Sequence, residues 1–67
     1  MNDLDEAVHH ILWMLWFDYG DDLVEGVEIK GSLSLVSEFL EKHGYAEVDK
    51  GLIKINNKAI VLMEKGF

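Results

Sequence analysis

The chain has 67 residues, no cysteine, no arginine and a net charge of −7. A chain of this length is expected to form a single domain over residues 1–67, and it buries only about 60% of the surface that its unfolded form exposes. Without cysteine it has no disulfides or thiolate zinc sites to stabilise a small core, so association with another chain is the expected support. The lack of cysteine also fits a reducing compartment, and we expect a cytoplasmic protein.

The acidic charge is concentrated at the start of the chain. Residues 1–29 contain eight acidic side chains and no lysine, whereas residues 30–67 contain five acids and six lysines. This balance disfavours DNA as a partner, because a polyanion repels an acidic chain and arginine is its preferred ligand. The longest apolar run, ILWMLWF, is far shorter than the roughly 20 residues that span a bilayer, and no basic leader precedes it. We therefore expect no membrane association.

An N-terminal amphipathic helix is predicted from Asn2 or Asp3 to about Asp18. Glu6 follows Asp3 at the spacing of a capping box, and Gly20 follows the end of the pattern. Apolar residues recur at helical spacing and predict one face that packs on the core. The residues of this predicted core face are Leu4, Val8, Ile11, Leu12, Leu15 and Tyr19.

The middle of the chain gives a mixed pattern and then a second helix. In residues 21–31 two glycines argue against a long helix, and the ambiguous pattern could hold one short helical turn from Asp21 or Asp22 followed by an extended segment at 27–29. Helical periodicity returns at residues 32–43, with Leu33 and Leu40 on its apolar side. Gly44 is placed to end this second helix.

A β-hairpin is predicted over residues 45–55. The segments YAEV and LIKI have the composition of strands, and Asp49-Lys50-Gly51 between them is typical of a tight turn.

The last segment, NNKAIVLMEKGF, has two interpretations. Asn56 or Asn57 could cap a short helix that runs to Lys65, or the two asparagines could turn the chain into a third strand over residues 59–63. The pattern slightly favours the helix. In either case the predicted fold class is α+β.

The segments SLSLVSEFLEKHGYAEV and DKGLIKINNKAIVLMEKGF resemble the winged-helix family of helix-turn-helix domains. In that family a serine-led helix ends at a glycine, and a strand, a wing hairpin and a terminal helix follow. Ile55, Lys58 and Ala59 stand where the family tends to have a hydrophobic residue, a basic residue and a glycine. The resemblance covers residues 32–67, with residues 1–19 matching only as a first helix, and it implies a small winged-helix-like domain.

Aromatic residues of the first helix lie outside its predicted core face. They spread over the other side of the helix together with the histidines, which makes the helix apolar almost all round and typical of one covered on several sides. We predict that this side is the interface of a homodimer or of a protein partner, formed by His10, Trp13, Trp16 and Phe17. The chain would then be an acidic regulator or inhibitor that acts through protein contacts. The alternative is that residues 59–63 fold back over the aromatic side chains within one chain.

A second hypothesis is a dimeric DNA-binding transcriptional regulator. The helix at residues 32–43, with Ser34, and the hairpin lysines would contact the phosphate backbone. These lysines are Lys50, Lys54 and Lys58. The simpler interpretation is a solvated hairpin whose lysines protect an exposed strand edge.

No metal site or catalytic site is predicted. His9 and His10 point about 100° apart on a helix, and a pair of Glu6 and His10 supplies fewer ligands than zinc requires. The acidic stretch at residues 18–25 does not have the ligand spacing of a calcium loop. No nucleophile elbow or glycine-rich phosphate loop is present, so we expect a non-enzyme with no cofactor and no small-molecule substrate.

Overall fold

The computed structural model describes residues 3–65. Within them the chain forms four helices and three strands, which confirms the α+β class. The elements are α1 (Asp3–Tyr19), α2 (Asp22–Glu25), β1 (Val27–Glu28), α3 (Leu33–Lys42), β2 (Ala46–Asp49), β3 (Leu52–Ile55) and α4 (Asn57–Glu64). The strands form one antiparallel sheet in the order β1-β3-β2.

The region between α1 and α3 contains one helical turn, α2, and one short extended segment, β1, which is the arrangement that its ambiguous sequence pattern allows. Residues 26–32, which include β1, separate α2 from α3. A helix-turn-helix pair has two helices joined by a turn of about three or four residues. α2 and α3 therefore do not form such a pair.

The β2–β3 hairpin has the predicted tight turn. Asp49 pairs with Leu52, so Lys50 and Gly51 alone connect the strands. Their φ angles of 53° and 77° fit a type I′ turn, which needs positive φ at both central residues and matches the twist of paired strands. β1 then pairs with the other side of β3.

The core lies between the helices and one face of the sheet. α1 contributes Val8, Leu12 and Leu15, and β3 contributes Ile53 and Ile55. Two residues of the predicted core face of α1 are instead exposed, because they lie in its first and last turns. These residues are Leu4 and Tyr19.

Helix α3 is one residue shorter at each end than the predicted range of 32–43. It ends in a Schellman motif. Gly44 has φ 82°, its N–H donates to the carbonyl oxygen of Glu41 at 3.0 Å, and the N–H of Tyr45 donates to that of Leu40 at 2.8 Å. Both Leu40 and Tyr45 are buried, which supplies the apolar contact that accompanies this motif.

The final segment is helical, and the alternative of a third strand is not adopted. Asn56 is the cap: its side-chain oxygen accepts from the N–H of Ala59 at 3.1 Å. The Nδ2 of Asn56 also donates to the carbonyl oxygen of Gly44 at 2.7 Å. The same side chain thus starts α4 and ties it to the end of α3.

Replacing Gly44 by alanine should destabilise the fold by about 1–2 kcal/mol, because an L-residue disfavours positive φ. The added Cβ would meet only Lys58 Nζ, at 3.5 Å, so conformation and not collision causes the loss. Chemical denaturation measures the free energy of unfolding. D-alanine at position 44, introduced by chemical synthesis, is the matched control and should retain the stability. An equal loss for both alanines would contradict this account.

Candidate interaction surface on helix α1

One side of α1 exposes a group of large apolar side chains. Trp13 is 46% exposed, Met14 58% and Phe17 91%. His10 is exposed at the same side of the helix, one turn before Trp13 and Met14. We call these four residues the aromatic face of α1.

The aromatic face is exposed because the core contacts the other side of the helix. At about 100° per residue, Phe17 lies roughly 140° around the helix axis from the fully buried Leu12. The same helix therefore has one side in the core and another side whose apolar residues the described part of the chain covers only in part.

Helix α4 covers part of this side of α1. The indole Nε1 of Trp13 donates to the carbonyl oxygen of Met63 at 3.1 Å, so the end of α4 lies against Trp13. This contact is part of the fold-back that the alternative interpretation predicts. Trp16 is half-buried against the core and does not belong to the exposed group, although the sequence places it there. Phe17 remains the most exposed side chain of the face.

The exposed apolar area is comparable to the largest patch of a typical monomer. Aromatic side chains present about 150–250 Å² each, so Trp13, Met14 and Phe17 together expose on the order of 400 Å². The largest apolar patch on a typical monomer is about 300–600 Å² and is often functional. Leu35 on α3 is 74% exposed, but its neighbours Ser34 and Glu38 are exposed polar residues.

One of the lysines proposed for DNA contact has acidic neighbours. Lys54 lies opposite Glu47 in the sheet, in a groove that Glu25 and Asp49 also line. Lys50 is in the exposed turn, and Ser34 is exposed on α3.

Lys58, the third of the hairpin-region lysines, contributes to the packing of the fold. Its Nζ donates to the carbonyl oxygen of His43 at 3.2 Å and lies 4.5 Å from the centre of the Tyr45 ring. The structure therefore holds this ammonium group between the end of α3 and the start of β2.

One polar contact joins residues that are far apart in the sequence, and the sequence patterns do not predict it. Tyr45 is 6% exposed, and its hydroxyl donates to Oδ1 of Asp5 at 3.2 Å. The pair lines a cleft of about 460 Å³ between α1 and α4, which Lys58 and Lys65 also line. No periodicity or motif joins residues 5 and 45, so no sequence signal reveals this contact.

The histidines of α1 lie in a shallow cleft of about 520 Å³ with Asp3 and Glu6. Among residues 3–65 no group of three or more histidine, cysteine, aspartate or glutamate side chains is placed to hold a metal ion.

Comparisons of the chain with protein-family models, with curated proteins and with solved structures found no match. In the described part of the chain, no helix combines the length and the hydropathy needed to cross a membrane. Because the comparisons give no relative, the function is inferred from the geometry of the chain itself.

The contact between Tyr45 and Asp5 predicts an alkaline loss of stability. Burial, and then the hydrogen bond and negative charge of Asp5, raise the pKa of Tyr45 above its usual value of 10.0. The folded chain thus keeps the phenol protonated where the unfolded chain ionises. The stability that this raised pKa contributes is complete below pH 10 and is lost as the pH rises through the folded-state pKa of Tyr45.

Tyr45→Phe should therefore lose less stability than the unmodified chain when the pH is raised above 10. Denaturant titrations at neutral pH and at steps above pH 10 measure this difference. At neutral pH the free energy of unfolding of Tyr45→Phe should be about 1 kcal/mol lower than that of the unmodified chain, because the hydrogen bond to Asp5 is lost. Tyr19→Phe is the control and should keep the alkaline loss. Parallel profiles for the Tyr45 variant and the unmodified chain would refute the interpretation.

Proposed function

We propose that this chain is a small acidic, winged-helix-like interaction module that forms a homodimer through the aromatic face of α1. It acts through protein–protein contacts as a regulator or inhibitor in the cytoplasm. The observation that carries the proposal is the 91% exposure of Phe17 beside Trp13 and Met14. Clustered aromatic side chains of this kind contribute most of the binding energy in protein interfaces.

The exposed area favours a weak dimer. A two-fold interface uses the same surface of both copies, so the three apolar side chains would bury on the order of 800 Å² in total. Stable interfaces bury about 1,200–2,000 Å². The polar residues around the aromatic face must supply the remaining area, and the dimer is accordingly expected to be reversible.

The elements from β1 onward support the winged-helix-like assignment, although α2 and α3 do not form a helix-turn-helix pair. α3 is followed by the β2–β3 hairpin and by α4, and β1 pairs along the other side of β3. The distribution of charge supports a protein partner over DNA. Lys54 lies opposite the acidic Glu47, and the Nζ of Lys58 donates to the carbonyl oxygen of His43, so both lysines have polar neighbours within the chain.

Phe17→Ser should weaken self-association at least about tenfold, because burying a phenylalanine contributes roughly 1.5–3 kcal/mol and each dimer contains two. Sedimentation equilibrium over a range of concentrations measures the dimer dissociation constant. Phe17 is almost fully exposed in the single chain, so circular dichroism should show an unchanged fold. Leu35→Ser removes a comparably exposed apolar side chain from α3 and should leave the dimer unchanged. Equal effects of the two variants, or an unmodified chain that stays monomeric, would contradict the proposal.

Salt should strengthen the homodimer. Each copy carries a net charge of −7, and raising the ionic strength from about 0.01 M to 0.1 M shortens the screening length from about 30 Å to 10 Å. The repulsion between copies decreases accordingly. DNA binding through lysines would weaken under the same change, since it releases counterions. Sedimentation and a gel shift on random duplex at two salt concentrations distinguish the two functions.

A further inference from the structure

The aromatic face has an acidic surround. No lysine occurs before residue 30. Glu6 projects within roughly 20° of Phe17 around the axis of α1 and is exposed beside His10. Three further exposed carboxylates follow Phe17 along the chain. They belong to Asp18, Asp21 and Asp22.

The lysines of the described residues do not neutralise this surround. Within residues 3–65 no lysine forms an ion pair with a carboxylate of α1, and Lys30 pairs instead with Glu28 at 3.0 Å. Lys58 and Lys65 line the cleft that contains Asp5. Asp5 lies roughly 120° around the helix from Phe17.

A second copy of the chain matches the aromatic face in hydrophobicity but not in charge. It presents the same apolar side chains with the same acidic surround, and like charges brought together oppose association. A partner with an equal apolar surface and cationic flanks gains the same burial without that repulsion. The charge of the surround therefore selects against the second copy.

We infer that the aromatic face binds a cationic amphipathic segment of another protein, with an apolar stripe flanked by lysine or arginine, in preference to a second copy. The inference rests on the proposed function, because it uses the same face as a contact surface and names its partner. A helical segment fits best, since a ridge of Trp13, Met14 and Phe17 along one helix packs against the apolar stripe of another. The flexible thioether of Met14 adapts to different apolar neighbours.

Binding of such a segment dissociates the homodimer, because one face cannot contact both. The dimer then serves as the resting state, and the cationic partner converts it into a heterodimer. In this scheme regulation consists of competition for Phe17 and its neighbours.

Three synthetic helical peptides of equal length and without tryptophan test the inference. The first has a leucine stripe and lysine flanks, and the second has the same stripe with glutamate flanks. The third has the composition of the first with its leucines scattered around the helix. Each is titrated into the full chain at low and at physiological salt, with calorimetry and tryptophan emission as measurements. Trp13, half-exposed in the aromatic face, is the expected reporter.

The first peptide should bind at least about tenfold more tightly than the other two, with an affinity that decreases with salt. Phe17→Ser should reduce that affinity about tenfold or more, whereas Leu35→Ser should not, although both variants keep the full charge. If the third peptide, with its leucines scattered, binds as tightly as the first, charge attraction alone explains the binding and the inference is overturned. Equal binding of the glutamate peptide, or binding that is indifferent to Phe17, would overturn it as well.

Sedimentation without peptide separates this result from the proposed function. A chain that is monomeric on its own but binds the lysine peptide through Phe17 would refute the homodimer and support the cationic partner. A chain that dimerises through Phe17 and ignores all three peptides would support the homodimer and refute the cationic partner.

Discussion

Helix α1 packs on the core with one side only, and this one-sided packing determines which of its surfaces is exposed. Val8 and Leu12 are fully buried, and α4 reaches around only as far as Trp13, through the carbonyl oxygen of Met63. Phe17 lies one turn further along α1, where no described element covers it. A core of this size needs the buried side of α1 and cannot also enclose the other. The aromatic face is thus exposed because the described elements pack on α1 mainly from one side.

Those parts of the fold that depend on neighbouring residues could be predicted from the sequence. Gly44 ends α3 because the backbone turns left-handed there, and Asn56 starts α4 because its side chain reaches an N–H three residues later. The turn at Lys50 and Gly51 follows from the same local chemistry. Each of these signals acts over a few residues, so it operates before tertiary packing contributes.

What the sequence could not predict depends on contacts between distant segments. Trp13 and Trp16 both lie outside the predicted core face, and only the position of α4 and the core decides that Trp16 is the more covered of the two. The contact between Asp5 and Tyr45 joins residues 40 positions apart. Lysines close in sequence acquire different neighbours, because Lys54 lies opposite Glu47 in a strand and Lys58 belongs to a helix.

The apolar and acidic properties of the α1 surface act over different distances. Burial of Phe17 contributes only once surfaces touch, whereas charge acts over about 8 Å at physiological ionic strength. An approaching protein therefore encounters the carboxylates of Glu6 and Asp18 before it contacts the phenylalanine ring. Charge complementarity governs encounter and selectivity more than it governs final affinity. Under the proposed interaction, the acidic surround selects which apolar surfaces reach the aromatic face, and burial at the aromatic face sets how long they remain bound.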